Sequence, residues 1–246
     1  LKMDGINILK KVNSCSSWVI RTTDRNKVRQ MNTWISYMTS SPEFQKLHKR
    51  FNCLFNPHKR AEMGMVVHTV SPYDDIIRTY AKELGWDWRM LAAIIYQESK
   101  FSISSSSRRG AQGLMQIMPQ TGLYYGVKDL MNPEQNIIAG SRHLMRMQKQ
   151  FKREGMTQEE LIKFTLAAYN AGEGRISDCI SLADAKGIDS MKWDEIVNNV
   201  IPMMREDSIL EEESVKHGKF QGHETIAYID SILSHYRAIC AIHPKI

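Results

Sequence analysis

Apolar residues between Trp88 and Phe101 recur at helical spacing, and their run ends on a carboxylate: Leu91, Ile94, Ile95 and Glu98 fall on one face. Ser71-Pro72-Tyr-Asp-Asp, with a capping hydroxyl, a first-turn proline and early acids, predicts the start of the helix before it. Asn132-Pro133-Glu134 predicts another, through Ile137, Ile138, Leu144 and Met147. Thr157 with Glu160 reads as a capping box for a helix through Leu161, Phe164, Leu166 and Ala168. A last helix runs from His223 to Ile239, with Ile226, Ile229, Ile232, Leu233 and Tyr236 on one side. Ser102 to Gly113 is rich in Ser and Gly and reads as a loop. No strand pattern of useful length follows residue 70, so the expected class there is mainly α.

The first 69 residues differ. Ser17-Trp-Val-Ile-Arg21 has the composition of a strand, Lys27 to Met38 has helical spacing, and Ser41-Pro42-Glu43 reads as a helix start leading into Phe44, Leu47 and Phe51. One strand and two helices make a poor domain. Asn56 to Val70, with Pro57 and Gly64 and no clear period, reads as a linker. The expected division is therefore 1–69 and 70–246.

Charge sharpens that division. The formal net charge of +6 splits into 12 Lys/Arg against 4 Asp/Glu over residues 1–69 and 21 against 23 over 70–246. The basic excess sits in the segment without a binding motif, so nucleic acid is not the expected partner. No apolar run approaches the roughly 20 residues of a membrane span. Cys15, Cys53, Cys179 and Cys240 form no C-x-x-C pair and no zinc spacing. They read as structural thiols; in an oxidising compartment three pairings are possible, of which Cys179 with Cys240 would tie two parts of one domain and Cys15 with Cys53 two parts of the other.

Glu98 carries the first candidate chemistry. Burial among aliphatics and the negative end of its own helix both push a carboxyl pKa upward, which suits a general acid. A buried structural Glu paired with an Arg or Lys is the competing reading. Gly110-Ala-Gln-Gly113-Leu-Met115-Gln116-Ile-Met-Pro119 joins glycines, an amide and apolar groups after the Ser-rich loop, which would let a backbone approach a sugar. Leu166-Ala-Ala-Tyr169-Asn170-Ala-Gly172 also fits a helix end with a buried tyrosine. Tyr228 in Glu224-Thr-Ile-Ala-Tyr228 also fits a core position.

Together the clusters are more specific. Glu98-Ser99, Gly113-Leu114-Met115-Gln116, Ala168-Tyr169-Asn170 and Glu224-Thr225-x-x-Tyr228 follow the order and spacing of the motifs of family 1 lytic transglycosylases. The chain resembles that family over about 70–246, and within it the membrane-bound murein transglycosylase F group. Ala-x-Gly-Leu-Met-Gln-Ile-Met-Pro at 111–119 and Asn-Pro-Glu-x-Asn-Ile-x-Ala-Gly at 132–140 carry the resemblance further. His223 departs from the basic or small residue often found before Glu-Thr.

The resemblance implies a lysozyme-like, goose-type helical catalytic domain after the α/β closing remnant of a periplasmic solute-binding-like domain. It implies cleavage of the MurNAc-β-1,4-GlcNAc bond without water, leaving 1,6-anhydroMurNAc ends. Glu98 would be acid and then base. Ser99 would orient its carboxyl, Gly113, Met115 and Gln116 would belong to the sugar subsites, Tyr169 and Asn170 would hold the acid and the acetamido group, and Tyr228 would lie near the acid. No cofactor or metal is implied. The implied partner is the glycan strand of peptidoglycan, met by a monomer in the periplasm or cell envelope, with membrane association through a preceding portion. Between Ser99 and Lys128 the chain has no Asp or Glu, so no second carboxylate flanks the acid, although Glu173 could fold inward. A goose-type hydrolase and a non-catalytic murein-binding module are the alternatives.

Overall fold

The computed structural model describes residues 6–8, 19–21, 24–49 and 55–244. The chain divides into two compact units, Leu1–Leu54 and Phe55–Ile246. In the first, strands β1 (Ile6–Ile8) and β2 (Val19–Arg21) pair antiparallel, with Ile6 opposite Arg21 and Ile8 opposite Val19. Helix α1 (Arg25–Ser40) contains the expected Lys27–Met38 segment, and Asp24 caps it by accepting from the Lys27 amide at 3.4 Å. Helix α2 (Pro42–Lys49) starts at the expected proline, with the Ser41 hydroxyl accepting from the Phe44 amide at 3.1 Å. Ser17, Trp18, Phe51 and the expected Cys15–Cys53 pair lie outside the described residues.

The expected linker over 56–70 is instead part of the second unit. It carries helix α3 (Pro57–Glu62), whose Asn56 cap accepts from the His58 and Lys59 amides. Helix α3 packs against the last helix, α12 (His223–Ile242), and the Val67 amide donates to the Ile242 carbonyl at 2.8 Å. Six residues make fewer than two turns, too few for a period to show in sequence.

Helix α4 (Asp74–Leu84) starts later than Ser71-Pro72 suggests, because Asp74 folds back to accept from the Val70 and Ser71 amides and the Ser71 hydroxyl. Helix α5 (Trp88–Ser99) follows, capped by Asp87. Its residues from Arg89 to Tyr96 are all buried, the pattern of a helix enclosed on every side. Helix α5 packs on α12 and α4, and fully burying each of Leu91, Ile94 and Ile95 contributes about 1.5–3 kcal/mol. After α6 (Pro119–Tyr124), α7 (Pro133–Phe151) starts where expected under an Asn132 cap. Thr157 caps α8 (Gln158–Ala171) through the Glu160 amide at 3.3 Å. The other half of the capping box does not form, since Glu160 accepts from the Trp193 amide and pairs with Lys163 instead.

Further elements after α8 were not expected. Helix α9 (Glu173–Lys186) begins directly after Gly172. Helices α10 (Trp193–Glu195) and α11 (Ile201–Met203) enclose a π turn, Ile196–Val200, just before Pro202, whose missing N–H breaks the regular ladder. A 3-10 turn follows at Asp207–Glu211. The second unit is thus mainly helical, as expected. No disulfide joins Cys179, buried in α9, to Cys240 in α12; burial pushes the Cys179 thiol up to about 12. Among the described residues no helix is long and apolar enough to cross a membrane.

Candidate active site

Glu98 occupies the last turn of α5, and the chain turns sharply just after it. Lys100 and Phe101 both have left-handed backbone, at φ 52° and 61°, a costly conformation for residues with a side chain. The fully buried Phe101 ring, 5.6 Å from Tyr96 and 6.3 Å from Phe55, anchors this turn in the core. The anchor fixes where the helix ends, and hence where the Glu98 carboxyl projects.

The carboxyl is half-buried, and desolvation pushes its pKa up to about 7. Tyr228, buried in α12, donates its hydroxyl to Glu98 Oε1 at 2.5 Å, which pulls the pKa back toward normal, as does the charge of Lys100. Among the described residues no Lys, Arg or His makes an ion pair with Glu98, which counts against the paired structural reading. Lys100 instead lies 4.3 Å from the centre of the Tyr96 ring, its own pKa lowered to about 8 by burial. Glu173 does not fold inward: it opens α9 and forms a two-pronged ion pair with Arg146.

The other sequence-predicted residues divide into those that face this carboxyl and those that build the frame. Ser99 does not orient Glu98; its buried hydroxyl donates to the Ile95 carbonyl at 3.2 Å, the local bond a helical serine makes with the preceding turn. Gly113 is a close approach, although to protein rather than to an open face. At φ +77°, a Cβ there would lie 2.1 Å from Asn136 Nδ2 and 2.5 Å from the Leu130 carbonyl. The Met115 side chain is fully buried, seated on Gly140, where an added Cβ would meet its sulfur at 2.3 Å. It therefore has no exposed surface to offer a sugar, whereas Met118, which the sequence reading passed over, is 44% exposed. Gln116, at φ 50°, spends its amide N–H groups on the Ser105 and Gly113 carbonyls, leaving its oxygen as the acceptor available to a ligand.

Asn136 holds this loop together. Fully buried on α7, it accepts from the Met115 amide at 2.8 Å and donates to the Gln112 and Leu130 carbonyls, each at 2.9 Å. The signal was present in Asn-Pro-Glu-x-Asn at 132–136, without a role attached to it. Tyr169, at the end of α8, donates to the Met115 carbonyl at 2.7 Å; desolvation and then the charge of Glu98 raise its phenol well above the ordinary value. Asn170 is exposed, and its side-chain oxygen accepts from the buried Thr225 hydroxyl at 2.8 Å. That bond turns the Asn170 amide into a fixed donor. Thr225 itself was legible in Glu224-Thr225 yet had no predicted task.

Behind the acid, α3, α12 and α5 are joined by a chain of polar contacts that the sequence did not suggest. His58 Nε2 meets His235 Nδ1 at 2.7 Å, and His235 Nε2 meets Gln97 Oε1 at 2.9 Å. An amide oxygen requires the proton on His235 Nε2, so His235 Nδ1 accepts from His58. Burial, with Lys100 and His58 adding to it, pushes the His235 imidazole down to about 3.

A half-buried carboxyl with a raised pKa, one phenol donating to it and a fixed amide donor on α8 form a site able to deliver and recover a proton. Residues 75–192 match the family described as Transglycosylase SLT domain. The chain belongs to the SLT-domain lytic transglycosylases. It is 29% identical over 224 residues to the membrane-bound lytic murein transglycosylase F of Desulfosudis oleivorans, covering 89% of this chain and 48% of that protein. With the protein of the same name from Haemophilus influenzae it shares 32% identity over 184 residues, 75% of this chain and 37% of the relative. The chain thus spans about half of these relatives or less. Among solved structures, the 70 kDa soluble lytic transglycosylase of Escherichia coli aligns with a TM-score of 0.48 at 26% identity, covering 68% of this chain and 24% of that one. The SLT match contains Glu98, Gln116, Tyr169 and Asn170 but stops before α12. Tyr228 and Thr225, which hold the acid and the amide, are therefore contributed from beyond the matched span.

Proposed function

We propose that the chain is a peptidoglycan lytic transglycosylase, cleaving the MurNAc-β-1,4-GlcNAc bond and leaving a 1,6-anhydroMurNAc end. The observation that carries this reading is the Glu98 carboxyl, pushed up to about 7, with Tyr228 as its hydrogen-bond donor and no acid among the charges that bear on it. A group poised near ambient pH can give a proton and take one back. Glu98 first protonates the linking oxygen as the C1–O bond breaks, and the sugar's own acetamido group takes up the positive charge at C1. The Glu98 carboxylate then removes the proton of the C6 hydroxyl, whose oxygen closes onto C1. Glu98 ends as it began, protonated.

The surrounding residues fit the two halves of this cycle. Burial favours the neutral acid before the first transfer, and the Tyr228 hydroxyl stabilises the carboxylate between the two. The Asn170 amide, its oxygen engaged by Thr225, can donate to the acetamido oxygen and hold it against C1. Hydrolysis by a carboxylate pair needs a second acid within about 5–10 Å. Glu173, the residue best placed in sequence for that task, is paired with Arg146.

The same reading makes peptidoglycan glycan strands the partner and the periplasmic side of the envelope the location, in keeping with relatives named as membrane-bound. The segment before the helical unit is then the closing part of a solute-binding-like domain, ending by Leu54 rather than residue 69. Glu98→Gln tests the assignment: release of anhydromuropeptides from purified murein should fall by about a thousandfold in a protein with an unchanged circular dichroism spectrum. Wild-type turnover in that variant would refute it.

A further inference from the structure

An open cavity of about 290 Å³ lies outside the Glu98 cluster, lined by Gln120, Thr121, Tyr124, Tyr125, His143 and Arg146. Its lining groups are neutral or cationic; no acid is among them. Burial, reinforced by Arg146, pushes the His143 imidazole down to about 4, so the ring is a neutral partner at ordinary pH. The Tyr125 hydroxyl meets His143 Nδ1 at 3.3 Å. Tyr124 in this lining, and Leu123 beside it in sequence, leave 74% and 67% of their surface in solvent, a large apolar exposure for two consecutive residues.

The cavity is linked to the proposed active site through a row of rings. Tyr124 and Tyr125 are 4.8 Å apart between centroids, Tyr125 and His143 5.9 Å, and His143 and Tyr169 5.5 Å. Tyr169 feels the Glu98 charge and holds the Met115 carbonyl. A ligand in the cavity is thus one side chain removed from the Tyr169 end of the catalytic cluster.

Arg146 indicates what chemistry the cavity suits. Its guanidinium already grips one carboxylate, Glu173, in the two-pronged geometry that guanidinium and carboxylate prefer, and both partners remain partly exposed, at 40% and 38%. An exposed pair of this kind contributes little to the fold, so an incoming carboxylate can share or replace Glu173 at small cost. The glycan of peptidoglycan is built of neutral N-acetylhexosamine units apart from the lactyl group that joins MurNAc to its peptide. The free carboxylates of the polymer lie on the stem peptide, which leaves the muramic acid at the bond being cut.

We infer that the cavity between α6 and α7 receives a carboxylate of the stem peptide, with Arg146 as its cationic partner and Tyr124 as an apolar wall. This inference rests on the transglycosylase reading for its substrate, and it adds a specificity site for peptide-bearing strands to that reading. Gln120, Thr121, Tyr125 and His143 are the polar groups that line the cavity beside the guanidinium.

Two readouts on the full chain test it. The first is calorimetric binding of the free tripeptide L-Ala-γ-D-Glu-meso-diaminopimelate, which involves no turnover. Wild type should bind it, and Arg146→Gln and the exposed Tyr124→Ala should each weaken binding by about tenfold at unchanged melting temperature. The second is KM for intact murein against KM for amidase-stripped glycan strands, where Arg146→Gln should raise the first about tenfold more than the second. Failure of wild type to bind the tripeptide overturns the inference. An equal rise in both KM values also overturns it, by making the cavity a sugar subsite. A wild-type enzyme that binds the tripeptide yet yields no anhydro ends would refute the transglycosylase reading alone.

Discussion

Two inward-facing acids, Glu98 and Asp178, show how the same chemical group is put to opposite uses. Asp178, buried in α9, accepts from the Lys216 and His217 amides at 3.0 and 2.6 Å and meets His217 Nδ1 at 3.1 Å. The His217 ring then lies over Gly174, where an added Cβ would come within 2.4 Å of it. These three contacts make the side chain a clamp on the segment leading to α12. Glu98 has one hydroxyl donor and apolar surroundings, and its pKa rises to about 7. An acid that accepts from several neighbours serves as a structural clamp, whereas one buried with a single donor has its pKa raised.

Substituting either acid separates activity from stability. Glu98→Gln should cost about a thousandfold in turnover and nothing in folding near pH 4. The sign of its effect at higher pH follows from linkage. The folded pKa of Glu98 lies above the ordinary value of 4.5, so the fold favours the neutral form, and Glu98 destabilises the protein progressively as pH rises through about 7. Melting curves at about pH 4 and about pH 8 should therefore show the Gln variant gaining on wild type only at the higher pH.

Asp178→Ala should do the reverse. The Lys216 and His217 amides lose their acceptor, at a cost of about 2 kcal/mol in urea unfolding, while turnover per folded molecule changes little. A smaller effect is expected at Tyr228→Phe. Losing the donor to Oε1 should lower kcat about tenfold and, because that bond lowers the Glu98 pKa, move the alkaline limb of the rate profile to higher pH. Smallest is Thr225→Val, which removes the bond to Asn170 Oδ1. It should cost about 1 kcal/mol or less in stability and a few-fold in kcat/KM, with the pH profile unmoved.

Much of this was legible in the chain because the helices that carry the site announce themselves. The Leu91–Glu98 face, the Asn132 and Thr157 caps and the stripe from Ile226 to Tyr236 are local signals, and α5, α7, α8 and α12 follow them. Helix α3 was hidden by its length. Helix α9 was hidden by Gly172, which reads as an ending and serves as one, with the next helix starting at once. The motifs brought Glu98, Tyr169, Asn170 and Tyr228 to one region, yet could not say which way a side chain points. Ser99 and Met115 stand next to the half-buried Glu98 and Gln116, and both turn inward, Ser99 to satisfy a helix carbonyl and Met115 to fill the space above Gly140. Asn136, Thr225 and the His58–His235 contact act through partners about 20 to 180 positions away, a distance at which periodicity carries no information.

In the proposed mechanism Glu98 works without a second carboxylate, so that the C6 hydroxyl, not water, closes onto C1. Digestion of purified murein by the wild-type chain in heavy-oxygen water, read by mass spectrometry of the muramic ends, tests this directly. Intramolecular closure gives anhydro ends carrying no heavy oxygen. Reducing ends one water heavier, with the label at C1, would contradict it.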